Sequence, residues 1–226
     1  MHDTANDPRL LVAEHALKVL RENIFARGTY RSAFSKDQIQ ARLANIESQI
    51  MVLKYKYMSP AALAEGPEAA AISKHAVDLR NSMAGMFHSK GAETIVEAKL
   101  AWALRMLEGL PARLARADDT ADPVAMGVDI VAVTIRNVLK KEPYWHTKVM
   151  EGGKEYLVVT NIEGLAPGMR LGVAVLPPAI VGGHISQAMF LGRAQCTESE
   201  GSFLKPAADD VRDASAILLK EIGKKK

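Results

Sequence analysis

Residues 156–193 read YLVVTNIEGLAPGMRLGVAVLPPAIVGGHISQAMFLGR, and this stretch decides the fold class. Tyr156-Leu157-Val158-Val159 has the composition of a strand, Pro167-Gly168 turns the chain, and Leu171 to Leu176 forms a second apolar run. Pro177-Pro178 and Gly182-Gly183 bracket a loop, after which Ser186 to Leu191 returns to strand character. Short strands separated by such turns predict a small antiparallel barrel.

The pattern continues on both sides. Upstream, Val128, Ile130, Val131, Val133, Ile135 and Val138 make a β-branched run suited to a first strand. Glu151-Gly152-Gly153-Lys154 marks a hairpin joining Thr147-Lys148-Val149-Met150 to the strand at Tyr156. Five short strands in about seventy residues suit a closed barrel of the OB type, which leaves no sheet edge exposed. Downstream, Pro206 opens a helix carrying Val211, Ala214, Ile217, Leu218 and Ile222. It is followed by Gly223 and Lys224-Lys225-Lys226, where lysines suit the negative end of a helix dipole and keep a tail in water.

Residues 7–117 have a different period. Asp7-Pro8 supplies a cap and a first-turn proline, and Leu10, Leu11, Ala13, Ala16, Leu17, Leu20 and Ile24 share one helical face. Gly28 and the polar run after it end that helix. Ser35 caps a second helix, with Asp37 and Gln38 in its first turn and Ile39, Leu43, Ile46, Ile50 and Leu53 along its stripe. Ser59-Pro60 starts a third, interrupted near Gly66-Pro67 and running through Ile72, Val77, Leu79, Met83 and Met86 to a break at Ser89–Gly91. A fourth carries Ile95, Leu100, Ala103, Leu104 and Leu107, with Trp102 and Met106 widening the face, and weakens at Gly109-Leu110-Pro111. About four helices predict an antiparallel bundle or helical layer. The polar run 118–123 marks the boundary. The expectation is an α+β protein: a helical domain over 1–120, then an OB-fold barrel with a terminal helix over 121–226.

The bulk numbers narrow the classes of function. With 48% hydrophobic and 24% charged residues in 226, the chain has an ordinary globular composition. No apolar run approaches the roughly 20 residues of a membrane span. The N-terminus has no signal-peptide pattern, and the single cysteine, Cys196, fits a reducing compartment; the expected location is the cytoplasm. Sixteen Lys/Arg face fourteen Asp/Glu up to residue 120, and thirteen face twelve beyond it, so any polyanion must be held by a local patch. The six histidines lack zinc spacing, and Ser89-Lys90-Gly91 lacks the order of a phosphate loop. Nothing nominates a nucleophile, metal ligand or cofactor loop, so a non-catalytic protein without cofactor or metal is expected.

Lys140, Lys141 and Lys148 flank Tyr144, Trp145 and His146 in what reads as the loop after the first strand. Cations neutralise phosphates and flat rings stack on unpaired bases, whereas a Tyr-Trp pair can equally pack a barrel end. Gly182-Gly183-His184-Ile185-Ser186 lets backbone amides, His184 and Ser186 approach a phosphate, or simply builds a tight turn. Arg170 and Arg193, near strand ends, are phosphate contacts or members of surface salt bridges. Glu93 and Glu97 read as a solvated helix edge, and the methionines as core filler.

Val128-Asp129-Ile130 through Leu139, Lys141-Glu142-Pro143, Leu171-Gly172-Val173-Ala174-Val175 and Ser186-Gln187-Ala188-Met189 together resemble one family. It is the tRNA-binding OB-fold domain appended to methionyl- and bacterial phenylalanyl-tRNA synthetases, also free-standing in CsaA-like and EMAP II-like proteins. The resemblance covers residues of about 124–194, a third of the chain. Glu142-Pro143-Tyr144-Trp145-His146 stands where the family has His-Pro-X-Ala-Asp, and Ala188 where it has glycine. The resemblance implies a tRNA or other structured RNA as partner, contacted by Lys140, Lys141, Tyr144, Trp145, Lys148, Arg170, His184, Ser186 and Gln187. An aminoacyl-tRNA synthetase is an implied second partner. The Ala-, Leu- and Met-rich helices leave a competing expectation: a protein-interaction, chaperone or dimerisation module that makes a homo-oligomer.

Overall fold

The Asp7 carboxylate accepts a hydrogen bond from the Arg9 amide at 2.9 Å and, with Pro8 in the first turn, starts helix α1 (Pro8–Asn23). Ser35 and Gln38 form a reciprocal capping box at the start of α2 (Lys36–Lys54). Four more helices follow: α3 (Pro60–Ala64), α4 (Pro67–Ser82), α5 (Ile95–Glu108) and α6 (Leu110–Ala115). The expected four helices are thus six among the described residues. Pro67 and Pro111 cannot continue a preceding helix, because proline lacks the N–H and crowds the previous turn, so each restarts one instead. The computed structural model describes residues 3–26, 32–87, 92–116, 122 and 125–223. The ends expected at Gly28 and Ser89–Gly91, most of the boundary run 118–123, and the terminal lysines lie outside them.

The second half carries β1 (Ile130–Lys141), β2 (Tyr144–Glu151), β3 (Lys154–Thr160), β4 (Arg170–Ala174), β5 (Ala179–Val181), β6 (His184–Ser186) and β7 (Met189–Gln195). Five of them form an antiparallel sheet in the order β3-β2-β1-β4-β7, while β5 and β6 pair as a separate hairpin. Helix α7 (Ala208–Ile222) packs against β7 and α1 through Val211, Ala214 and Leu218.

Two details differ from the sequence expectation. First, β1 runs on to Lys141, and a two-residue turn at Glu142-Pro143 puts Tyr144, Trp145 and His146 on strand β2, not in a loop. Second, the strand expected over 186–191 is broken. The Gln187 amide donates to the Leu157 carbonyl of β3 at 2.9 Å, and pairing with β4 begins only at Met189, in β7. The preceding loop folds into the β5–β6 hairpin across Gly182 and Gly183, whose φ values of 56° and 81° favour glycine.

One continuous core joins the two halves. Leu10, Ile46, Leu104 and Met106 from the helices belong to the same buried cluster as Val131, Val173 and Phe190 from the sheet and Leu218 from α7. The Trp102 indole N–H of α5 donates to the Val175 carbonyl at 3.2 Å, closing the seam with a hydrogen bond. Among the described residues no helix is long and apolar enough to cross a membrane.

Candidate nucleic-acid interface

The register of β1 and β2 sorts the expected cluster. Lys141 pairs with Tyr144, Lys140 with Trp145 and Leu139 with His146. Paired residues share a face and successive pairs alternate, so Lys141, Tyr144, Leu139 and His146 occupy one face of the hairpin end. Lys140 and Trp145 occupy the other, continuous with buried Thr147 and Val149.

On the first face the β5–β6 hairpin supplies a ring of its own. His184 meets His146 edge-on with ring centroids 4.1 Å apart. The Tyr144 ring lies so close to Gly182 that an added Cβ would sit 2.6 Å from it. Gly182 is therefore required twice, for its positive φ and for the space the ring takes. Burial, helped by the charges of His184 and Lys141, lowers the His146 pKa from its ordinary value, which keeps that ring neutral near pH 7. On the second face the Lys140 ammonium lies 5.5 Å from the Trp145 ring centroid and 2.6 Å from the Glu142 carboxylate. All four rings are half-buried, and Leu139 beside them is 54% exposed. Lys141 pairs with no carboxylate among the described residues.

The remaining sequence-predicted residues do not join this group. Lys148 sits further along β2 and is held by Glu155 at 2.9 Å. Arg170 lies on β4 opposite Thr134, far along β1 from Lys140, and donates to the Glu198 carbonyl at 3.1 Å. Ser186 is 8% exposed, and its hydroxyl accepts from the Val159 amide at 3.1 Å while donating to the Ala188 carbonyl at 3.1 Å. The first of those two hydrogen bonds holds β6 to β3. Gln187 accepts from the Leu157 amide at 3.2 Å and turns toward a cleft against the helical half. Arg193 is on β7, outside the cluster.

Sequence reasoning missed the charge network between the halves. Asp129, 5% exposed, receives Arg105 Nε at 2.7 Å and Arg113 Nη1 at 3.1 Å, and Arg105 also grips Glu151 bidentately at 2.6 and 2.8 Å. Burial alone would raise the Asp129 pKa; the Arg113 and Arg105 charges outweigh it and hold the carboxylate below its ordinary range. The signal was there: a lone carboxylate inside the apolar run Val128-Asp129-Ile130. Glu97 is likewise no solvated edge, since it is buried and accepts from the Glu93 amide at 2.8 Å.

A family model described as Alpha helical domain matches residues 1–117, the part that forms α1 to α6. No curated protein matches the chain.

Proposed function

We propose an RNA-binding role for this chain, which belongs to the Alpha helical domain family by the match over its first 117 residues. The observation that carries the reading is the hairpin end where Tyr144, Trp145, His146 and His184 stay half-exposed beside Lys140 and Lys141. Rings at a strand end stack on unpaired bases, and the adjacent ammonium groups neutralise the phosphates between them. The mechanism is non-catalytic: stacking on Tyr144 and Trp145, with backbone neutralisation by the two lysines.

Closure of the sheet into an OB-type barrel belongs to the same proposal. The bonds from the Gln187 amide to the Leu157 carbonyl, and from the Val159 amide to the Ser186 hydroxyl, tie the far edge strand β3 to the segment leading into β7, the opposite edge. A barrel so closed presents its loops and strand ends to nucleic acid. The resemblance to the tRNA-binding OB-fold domain supports tRNA as the RNA, with a synthetase as the protein that receives it.

Titration of the protein with bulk tRNA at increasing salt tests the reading. Micromolar binding that weakens steeply with salt is expected, and Lys140→Ala/Lys141→Ala should flatten the salt slope by about two phosphate contacts. Binding that ignores salt, or that survives the double variant unchanged, would contradict it.

A second reading has its own observation. Met51, Val52, Tyr55, Tyr57 and Met58, at and just after the end of α2, are all exposed. A run of large apolar side chains left in water favours a protein-interaction or homodimer surface. Sedimentation of the wild type against Val52→Ser/Tyr55→Ser distinguishes it: a dimer that the substitutions dissolve supports this surface.

A further inference from the structure

Where β1 begins, three segments converge on it: the start of α1, the end of α6, and residues 203–206, which lead into α7. They border a cavity of about 280 Å³, at the small end of ligand-binding pockets. Ile130, Phe203, Leu204 and Pro206 give it apolar walls. Its charged lining is Arg9, Arg113, Arg116 and Lys205, and among the described residues no carboxylate lines it.

The guanidiniums differ in what they have to spare. Arg9 is buried and holds Asp7 at 2.8 Å. Arg113 is equally buried and gives Nη1 to Asp129 at 3.1 Å. The Arg116 side chain is 31% exposed, and its Nη2 comes no nearer than 3.7 Å to Asp129 and 3.5 Å to the Val128 carbonyl. Asp129 is already committed, because Arg105 and Arg113 take it at shorter range. Three guanidiniums therefore share two carboxylates, Asp129 and Glu151. The Phe203 ring lies 4.5 Å from the Arg116 guanidinium carbon and covers a face that has no N–H to offer. The N–H edge keeps its remaining donors. Burial, joined by the Arg113 and Arg9 charges, outweighs Asp129 and lowers the Arg116 pKa from its ordinary value. A further anion beside it would offset that cost.

We propose that this cavity binds a small monocarboxylate with an apolar body, its carboxylate on the N–H edge of Arg116 and its body against Ile130, Phe203 and Leu204. A guanidinium edge matches a carboxylate through two parallel hydrogen bonds. The apolar walls select against a bare phosphate, whose other oxygens would lose water without gaining partners. The inference does not rest on the RNA surface, which lies at the far end of β1, where Lys141 pairs with Tyr144.

The test is calorimetric titration of the full chain with millimolar benzoate and hexanoate. Benzamide and hexanamide serve as uncharged isosteres, and inorganic phosphate as the bare anion. At least one carboxylate should bind one-to-one, tighter than its amide and tighter than phosphate. Arg116→Gln should weaken that binding roughly ten- to a hundredfold, the worth of a hydrogen bond to a charged group. Arg116→Lys, which keeps the charge and loses the fork, should fall between the two. Ala125→Leu, which narrows the cavity and leaves every cation in place, should also weaken binding. If Arg116→Gln does not fold, the Lys and Ala125 variants decide. Tyr144→Ala/Trp145→Ala should leave carboxylate binding unchanged, so failure of the RNA reading and failure of this one are distinguishable. Binding of neither carboxylate, amides or phosphate binding as well as the acids, or carboxylate binding indifferent to Arg116 and Ala125 would each overturn the proposal.

Discussion

Asp129 shows how much one side chain can hold together. It stands on the apolar stretch that enters β1, yet it faces Arg105 on α5 and Arg113 on α6, and burial makes each charge depend on the others. Breaking a buried pair by removing one member leaves an uncompensated cation, so Asp129→Asn should destabilise the protein by about 3–5 kcal/mol in denaturant titration. A loss within error of zero would mean the guanidiniums find water instead. The same carboxylate sets an acid limit. Its folded pKa lies below the unfolded one, so the unfolded state binds the proton first. Its contribution is complete above the ordinary Asp value and is lost as pH falls through the depressed folded value. Acid titration of stability should therefore show a steep decline below about pH 4 that Asp129→Asn makes shallower.

At the level of elements, the β5–β6 hairpin connects sequence to candidate site. Its turn glycines are legible in the chain, because paired glycines after a Pro-Pro step have few other uses. What the hairpin does was not legible. Reading Tyr144-Trp145-His146 as a loop hid the period-two alternation that puts Tyr144 and His146 on one face and Trp145 on the other. It also hid the contact of Tyr144 with Gly182, which depends on two segments far apart in sequence. Gly182→Ala forces a Cβ into that ring and strains a positive φ, a combined cost of about 1–3 kcal/mol. The expected outcome is a lower melting temperature together with weaker RNA binding than Gly183→Ala produces, since nothing lies within 4 Å of a Cβ added at Gly183. Equal effects of the two substitutions would show that the ring contact is idle.

For the whole molecule, the change of period near residue 120 located the helical and β halves, and the caps at Asp7 and Ser35 located two helix starts. The seam between the halves escaped because it is made of single residues that meet only in space: Trp102 on Val175, Arg105 on Asp129 and Glu151. The apolar core runs through that seam without interruption. Unfolding should accordingly be one cooperative transition, with core amides of α1 and β1 exchanging hydrogen through openings of equal free energy. Protection of β1 that survives loss of protection in α1 would make the halves independent.

Photo-crosslinking of bound RNA followed by peptide mapping locates the bases on the protein, because stacked rings react where they sit. Crosslinks are expected on the peptide holding Tyr144 and Trp145, lost when both are replaced by alanine. Crosslinks confined to α1–α6, or a pattern indifferent to those two rings, would contradict it.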